Sequence, residues 1–409
     1  MDKKTALKLS VVFGLVYFFS TNGMASLPAV AVSFLLKDVL HMTASQAAYF
    51  NAVTMLGWLI KPVWGIISDV VPILGYRRKS WLIITTSGAA MIWFYLGAIE
   101  TPQYTATLLI TLFTASAMFY AFNDVVCDGL MVETGQPHNL TGKFQVWQWS
   151  AVYLAAIITG VLGGYAAEHL SYQKIFTING IFPLIILAAI VFFVKEGRSI
   201  NRREQVRASL SALKEVAGKW QLWAIALFMF AWTFSPSFGA PFFYFAVDRL
   251  GFGKVYLGLV STIAAIGSLL GTLAFNRYEN RFETNRVLYF AIALGTIVTL
   301  LDLIYFTQFM IHSPMILRTY NVVMALIMGI LTGFSSLVLL NLAARICPKW
   351  GEGTTFAALV SFWNVGLMGS QVLGGYLFDK VGLQPLIVIS AAFTAITAAL
   401  VPFLRINEE

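Results

Sequence analysis

Phe122-Asn123-Asp124-Val125-Val126-Cys127-Asp128-Gly129-Leu130-Met131-Val132-Glu133 ends an apolar run that begins near Tyr104. At 1.5 Å rise per residue, about 20 residues cross a bilayer, so a run of this length is a membrane span. Three carboxylates sit in its second half. Asp124 and Asp128, four apart, share one helix face, and Glu133 lies near the end. A carboxylate inside the hydrocarbon layer costs several kcal/mol unless it is paired, protonated or facing water. Two readings follow: proton coupling or ion pairing in a transport path, or a static salt bridge to a base on another helix.

The composition fits a membrane setting. The 409 residues are 58% hydrophobic and 11% charged, where soluble proteins carry about a quarter charged residues. The first apolar segment, 9–36, exceeds a signal-peptide core of ~7–15 residues and shows no cleavage site. It is expected to remain as the first helix, and the lack of a transit-like extension points to a bacterial inner membrane. The net charge of +8 is not a nucleic-acid signal, because its distribution follows membrane sidedness. Cys127 and Cys347, with four scattered His, predict neither a disulfide nor a metal site, and no cofactor motif or P-loop occurs.

Apolar runs divide the chain into twelve segments, near 9–36, 43–68, 80–99, 104–134, 142–167, 173–195, 219–247, 254–276, 285–308, 315–346, 353–378 and 384–405. With both termini on one side, twenty Lys and Arg fall on that side and six on the other, leaving Lys61 inside segment 2. The positive-inside rule then places both termini in the cytoplasm. The longest polar stretch, 196–218, separates an N-terminal half (1–195) from a C-terminal half (219–409). At an offset of 211, Leu162-Gly163-Gly164-Tyr165 matches Leu373-Gly374-Gly375-Tyr376, followed by Glu168 and Asp379. Parallel six-helix repeats are the organisation of major facilitator transporters. The expected fold is an all-α integral membrane protein of twelve transmembrane helices in two six-helix repeats.

Lys61 lies eight residues before Asp69 at the end of segment 2, roughly 12 Å inside the membrane boundary. Asp124 and Asp128 reach comparable depths, so Lys61 is their natural partner, as a permanent bridge or as a pair that a substrate carboxylate opens. Two acids beside one base leave one carboxylate as the candidate proton carrier. Arg345, near the end of segment 10, is a second candidate for an anion. Asp69, followed by Arg77 and Arg78, suits a cytoplasmic gate of charge-assisted bonds, or topology signalling by basic residues alone. Glu133, Glu168 and Asp379 are expected to add contacts there. Trp147, Trp149, Trp232, Phe234, Phe243, Tyr244 and Trp363 are candidates to stack on a flat ring or simply to pack. Segment 7 carries Pro236 and Pro241, which interrupt a helix. Asp302 is expected to reach water. Gly160/Gly164, Gly267/Gly271 and Ser370/Gly374 permit close helix approach, either between the halves or within one.

Leu36-Lys37-Asp38, Ile60-Lys61-Pro62, Gly65, Ser68-Asp69, Pro72, Gly75-Tyr76-Arg77-Arg78, Asp124-Val125-Val126, Asp128, Val132-Glu133, Gly142, Gln145, Trp147 and Trp149 resemble the folate–biopterin transporters. These form a branch of the major facilitator superfamily. The resemblance is strong over about 15–165 and architectural beyond. It departs after Glu133, where family members continue with an alanine–arginine pair and this chain has Thr134-Gly135. The resemblance implies proton-linked movement, as symport, of a folate, pterin or related anionic aromatic solute; the expected unit is a monomer whose partners are that solute, protons and membrane lipid. The competing readings are a carrier of another amphipathic anion, such as a cell-wall fragment, and an intramembrane enzyme or transport-inactive receptor. No nucleophile–base or metal pattern supports the enzyme.

Overall fold

The computed structural model describes residues 3–20, 22–135, 141–194, 196, 218–278, 283–345 and 352–404. Among them the chain is helical and contains no strand. Among the described residues, nine of the twelve segments are single helical stretches long and apolar enough to cross a membrane, the longest being Pro314–Ala343. Segments 1, 2 and 7 are different, because each is broken. Segment 1 forms α1 (Lys3–Phe18), a 3-10 turn at Met24–Ser26, and α2 (Ala29–Phe34) ending in a π-turn. Segment 2 forms α3 (Ala44–Thr54), α4 (Leu56–Leu59) and α5 (Lys61–Val70). Unbroken helices follow: α6 (Lys79–Ala98), α7 (Ala106–Gly135), α8 (Thr141–His169) and α9 (Tyr172–Phe193). Segment 7 splits into α10 (Trp220–Thr233) and α11 (Gly239–Asp248) at the predicted prolines. The chain continues with α12 (Lys254–Tyr278), α13 (Thr284–Leu301), the short α14 (Gln308–Ile311), α15 (Pro314–Arg345), α16 (Glu352–Val381) and α17 (Leu383–Ile396).

One core gathers Phe13, Leu82, Val126, Phe144 and Ile190, and another gathers Phe228, Leu288, Leu339 and Leu359. These draw on residues before 195 and after 218, while the expected linker is described only at Glu196 and Gly218. The exterior is apolar. Met91, Phe192, Phe290 and Ile396, one from each of segments 3, 6, 9 and 12, are at least 66% exposed. Every third segment thus turns a bulky hydrocarbon outward, as lipid contact requires and water would penalise.

The repeat is legible in the packing. Gly163 backs onto the Leu27 carbonyl at the segment 1 break, and Gly374 onto the Ser237 carbonyl at the segment 7 break. The next glycines face the other half. A Cβ on Gly164 would come 2.8 Å from the Gly258 Cα, and one on Gly375 would come 3.0 Å from the Tyr49 ring. Of the three small-residue pairs, Gly160/Gly164 therefore lies between halves, against α12. Gly267/Gly271 packs on α15 and Ser370/Gly374 on the segment 7 break, both within the second half.

Segments 1 and 7 meet at one end of the bundle. Lys37 Nζ lies 2.7 Å from Asp248 Oδ1, the Tyr244 hydroxyl donates to the Met42 carbonyl at 2.6 Å, and the Phe34 and Phe243 rings touch at 5.3 Å. This is the Lys37 end; Arg77 and Arg78 mark the other. Glu168 and Asp379 lie at the Lys37 end, which corrects their assignment to the gate. Each closes a helix of about 30 residues, roughly 45 Å long, that starts at the Arg78 end. Repeat position had grouped them with Asp69, but helix direction sends them away from it.

Candidate functional site

Lys61 stands at a break the sequence dictates. A proline has no N–H, so Pro62 cannot continue the helical ladder, and the chain turns at Met55 and again at Ile60 (φ −98°, ψ 23°). The short α4 between the turns lies directly on α7, because a Cβ on Gly57 would meet the Met118 backbone at 2.7 Å. That approach brings Lys61 Nζ to 2.7 Å from Asp124 Oδ2 and to 4.8 Å from the Trp58 ring centroid. Lys61 is 9% exposed. A buried ammonium is tolerated only when paired, and here it has a carboxylate and an aromatic face.

The rotation of α7 is fixed from behind. Asn123, buried, donates to the Thr86 hydroxyl at 2.8 Å and to Thr85 at 3.2 Å, tying this face to α6. Asp124 and Asp128 consequently turn towards the interior. Asp128 accepts a hydrogen bond from the Tyr17 hydroxyl of α1, with the buried Gln148 of α8 beside it. Among the described residues, no Lys or Arg lies within ion-pair distance of Asp128. The two acids on one face thus have different partners: a cation for Asp124, a neutral hydroxyl for Asp128. Tyr17 and Gln148 escaped the sequence reading. Tyr17 is a lone hydroxyl in an apolar run and Gln148 one of several polar residues opening segment 5, and neither carries a local signal beyond its cost of burial.

At the Arg78 end, the Arg78 guanidinium donates to Ser68 Oγ at 2.6 Å and packs against Gly129, one residue past Asp128. Arg77 and Arg78 are buried. The side chains of Asp69, Glu133 and Arg345 lie outside the described residues. A further acid, unforeseen from sequence, organises this end. Glu196 accepts from the backbone amides of Arg77, Arg78 and Lys79 at 2.8–3.1 Å, capping α6. Lys79 Nζ in return donates to the carbonyls of Val191 and Val194 at the end of α9. Negative charge at a helix start and positive charge at a helix end both suit the helix dipole.

The seven aromatic candidates are not brought together. Trp147 is 54% exposed on the outside, and Trp149 pairs with Tyr153. Trp232 and Trp363 pack on the second-half core, and Phe234 stacks on Phe230. Tyr244 belongs to the closure at the Lys37 end. Phe243 alone of the seven borders a cavity of about 300 Å³, which Phe242, Phe252, Ser33, Ser261 and Asn321 also line. Asp302 does not reach water as expected. It is 8% exposed, because the chain tightens into a 3-10 turn at Asp302–Phe306 that folds it under segment 10.

Comparison with known proteins places the fold and the family. The fold is that of a D-xylose–proton symporter (TM-score 0.72, 14% identity, 98% of this chain and 97% of that one). A nucleoside transporter matches equally well (TM-score 0.72, 13% identity, 98% and 100%). Likeness at this identity establishes the major facilitator fold alone. A folate-biopterin transporter of Synechocystis sp. is 29% identical over 372 residues, covering 90% of this chain and 74% of that protein. Folate transporter 2 of Plasmodium falciparum is 25% identical, covering 95% and 86%. A probable folate-biopterin transporter 4 of Arabidopsis thaliana is 24% identical, covering 90% and 88%. The BT1 family matches residues 22–404. A multi-pass membrane transporter with the major facilitator fold, this chain belongs to the BT1 family.

Proposed function

We propose that the protein moves a folate, a pterin or a related anionic aromatic solute together with protons, by alternating access, across a bacterial inner membrane. The relatives named as folate and folate-biopterin transporters support the substrate class. The single observation that carries the coupling is the unequal pairing of two acids on one helix face. Lys61 holds Asp124 at 2.7 Å, and Asp128 meets the neutral Tyr17 hydroxyl. Lys61 commits its ammonium to Asp124, which leaves Asp128 as the acid available to carry a proton. Lys61 exchanges Asp124 for the substrate carboxylate in one state, and Asp128 carries the proton.

The Arg78 end is assigned to the cytoplasm because Lys and Arg crowd that side. Asp69 with Arg77 or Arg78 is the proposed cytoplasmic gate, holding the outward-open state, and the Lys37 end is the outer face. The working unit is one chain.

The test is uptake of labelled folates and pterins into proteoliposomes, with and without a proton gradient. Asp128→Asn should abolish gradient-driven accumulation and leave exchange of substrate measurable. Full pH-driven uptake in both Asp124→Asn and Asp128→Asn would reduce α7 to a structural ion-pair element.

A further inference from the structure

The Lys61-Pro62 break leaves two backbone carbonyls without their ordinary donors. In an unbroken helix the Gly57 carbonyl would take the Lys61 amide, and the Trp58 carbonyl would take the amide of residue 62. Pro62 has none to give. A carbonyl orphaned in a low-dielectric interior costs about 1–3 kcal/mol, so both must find donors elsewhere. The Gly57 carbonyl accepts from the Trp64 indole of the same segment at 2.9 Å. The Trp58 carbonyl accepts from Asn364 Nδ2 at 3.0 Å. Asn364 is on α16, 306 positions away, in the other half of the molecule, and is buried.

We infer that Asn364 is a positioning residue for Lys61, a strap from the second half that completes the break in the first and releases it when the halves rock. Trp58 lies between the strap and the cation: its carbonyl takes Asn364, and its ring faces Lys61 Nζ at 4.8 Å. In the present arrangement, closed at the Lys37 end, the strap holds Trp58 and therefore the start of α5. Rocking of the halves about the central site moves α16 relative to α4, which withdraws the donor. The freed carbonyl must then take water, which enters only as the site opens. The position of Lys61 is thereby tied to which side is closed, by a group that touches neither proton nor substrate. The strap has an acceptor to hold because residue 62 lacks an amide.

This inference rests on the reading of Lys61 given above, yet it is judged apart from it, because its readout requires no substrate. Ala240 lies in the seam between the halves, packed against the first-half cluster at the Lys37 end. In a background with Cys127 and Cys347 changed to Ala, Ala240→Cys is labelled by a maleimide at a rate that follows opening of that end. Asn364→Ala should raise the rate about fivefold, the usual scale for one lost hydrogen bond. Pro62→Ala restores an amide at residue 62, so adding Asn364→Ala to it should change the rate less than twofold. Asn364→Gln should restore slow labelling in part, and thermal melting of each purified variant checks that it is folded. An equal acceleration with and without Pro62→Ala would assign Asn364 to general packing of α16 and overturn the strap. So would no acceleration at all in folded Asn364→Ala.

Discussion

The two halves share a frame and differ in chemistry. Leu-Gly-Gly-Tyr does the same work in both, its first glycine against the broken helix of its own half and its second against the partner half. The charged centre has no such echo. The positions 211 residues beyond Lys61, Asp124 and Asp128 are Thr272, Ser335 and Leu339, and Tyr17 is answered by Phe228. Pro62 is answered by Leu273, and α12 accordingly runs unbroken where segment 2 is in three pieces. Leu339 and Phe228 are fully buried in the second-half core. Symmetry governs the surfaces that must slide, and asymmetry governs the ions. One half carries the Lys61–Asp124 pair, and the other has neutral residues at the matching positions.

The severest way to break that comparison is to move charge. Lys61→Ala should cut uptake about 100-fold and lower stability by up to about 3 kcal/mol, because the half-buried Asp124 is left without its cation. The double change Lys61→Ala with Asp124→Asn should regain the lost stability, seen by thermal unfolding in detergent, and should not regain uptake. Thr272→Ala and Ser335→Ala should each alter uptake less than twofold. Harm from Ser335→Ala comparable to that from Lys61→Ala would mean the second half contributes chemistry too.

A smaller difference is expected where the halves look alike. Gly164→Ala drives a methyl into the α12 backbone, while Gly375→Ala meets first the edge of the Tyr49 ring, which can turn aside. Overpacking against backbone costs about 1–3 kcal/mol. Gly164→Ala should therefore slow uptake about tenfold and Gly375→Ala no more than about threefold. Equal losses would show that the seams are mechanically equivalent despite their different neighbours.

The smallest effect belongs to the closure at the Lys37 end. The Asp248 side chain is 54% exposed, so its pair with Lys37 is worth only about 0.2–1 kcal/mol. Lys37→Ala should speed labelling of Ala240→Cys about two- to fivefold. Salt should do the same to the wild-type pair by screening it, and add little once Lys37 is gone. A closure unaffected by salt would place its strength in the Tyr244–Met42 bond and the Phe34–Phe243 contact.

Much of this was legible in the chain. Apolar runs gave the nine long spans found among the described residues, because a bilayer demands their length, and Pro236 and Pro241 announced the break in segment 7, while the breaks in segments 1 and 2 went unread. The depths of Lys61 and Asp124, counted in helical rises, brought them together. Tyr17, Gln148, Asn364 and Glu196 were not legible, for a common physical reason. Each satisfies a group more than 15 residues away, and a lone polar residue in an apolar or linker stretch names no partner. Glu168 and Asp379 were misplaced because the repeat preserves position within a half, whereas the side of the membrane follows from helix direction. The aromatic candidates failed to converge because a ring packs equally well against lipid, core or ligand.

The reciprocal capping between Glu196 and Lys79 bears on how the chain is made. Segment 3 leaves the ribosome with three amide donors at its start unclaimed, and their acceptor is synthesised only after segment 6, 117 to 119 positions later. A nascent chain halted at residue 194 would have every span of its first half and no clasp. Two residues more supply it. The first six segments can therefore settle into a closed unit just as the polar stretch begins to emerge, before α10 competes for the same apolar surfaces. Placing the clasp at the first residues of that stretch makes completion of one half the event that precedes insertion of the next.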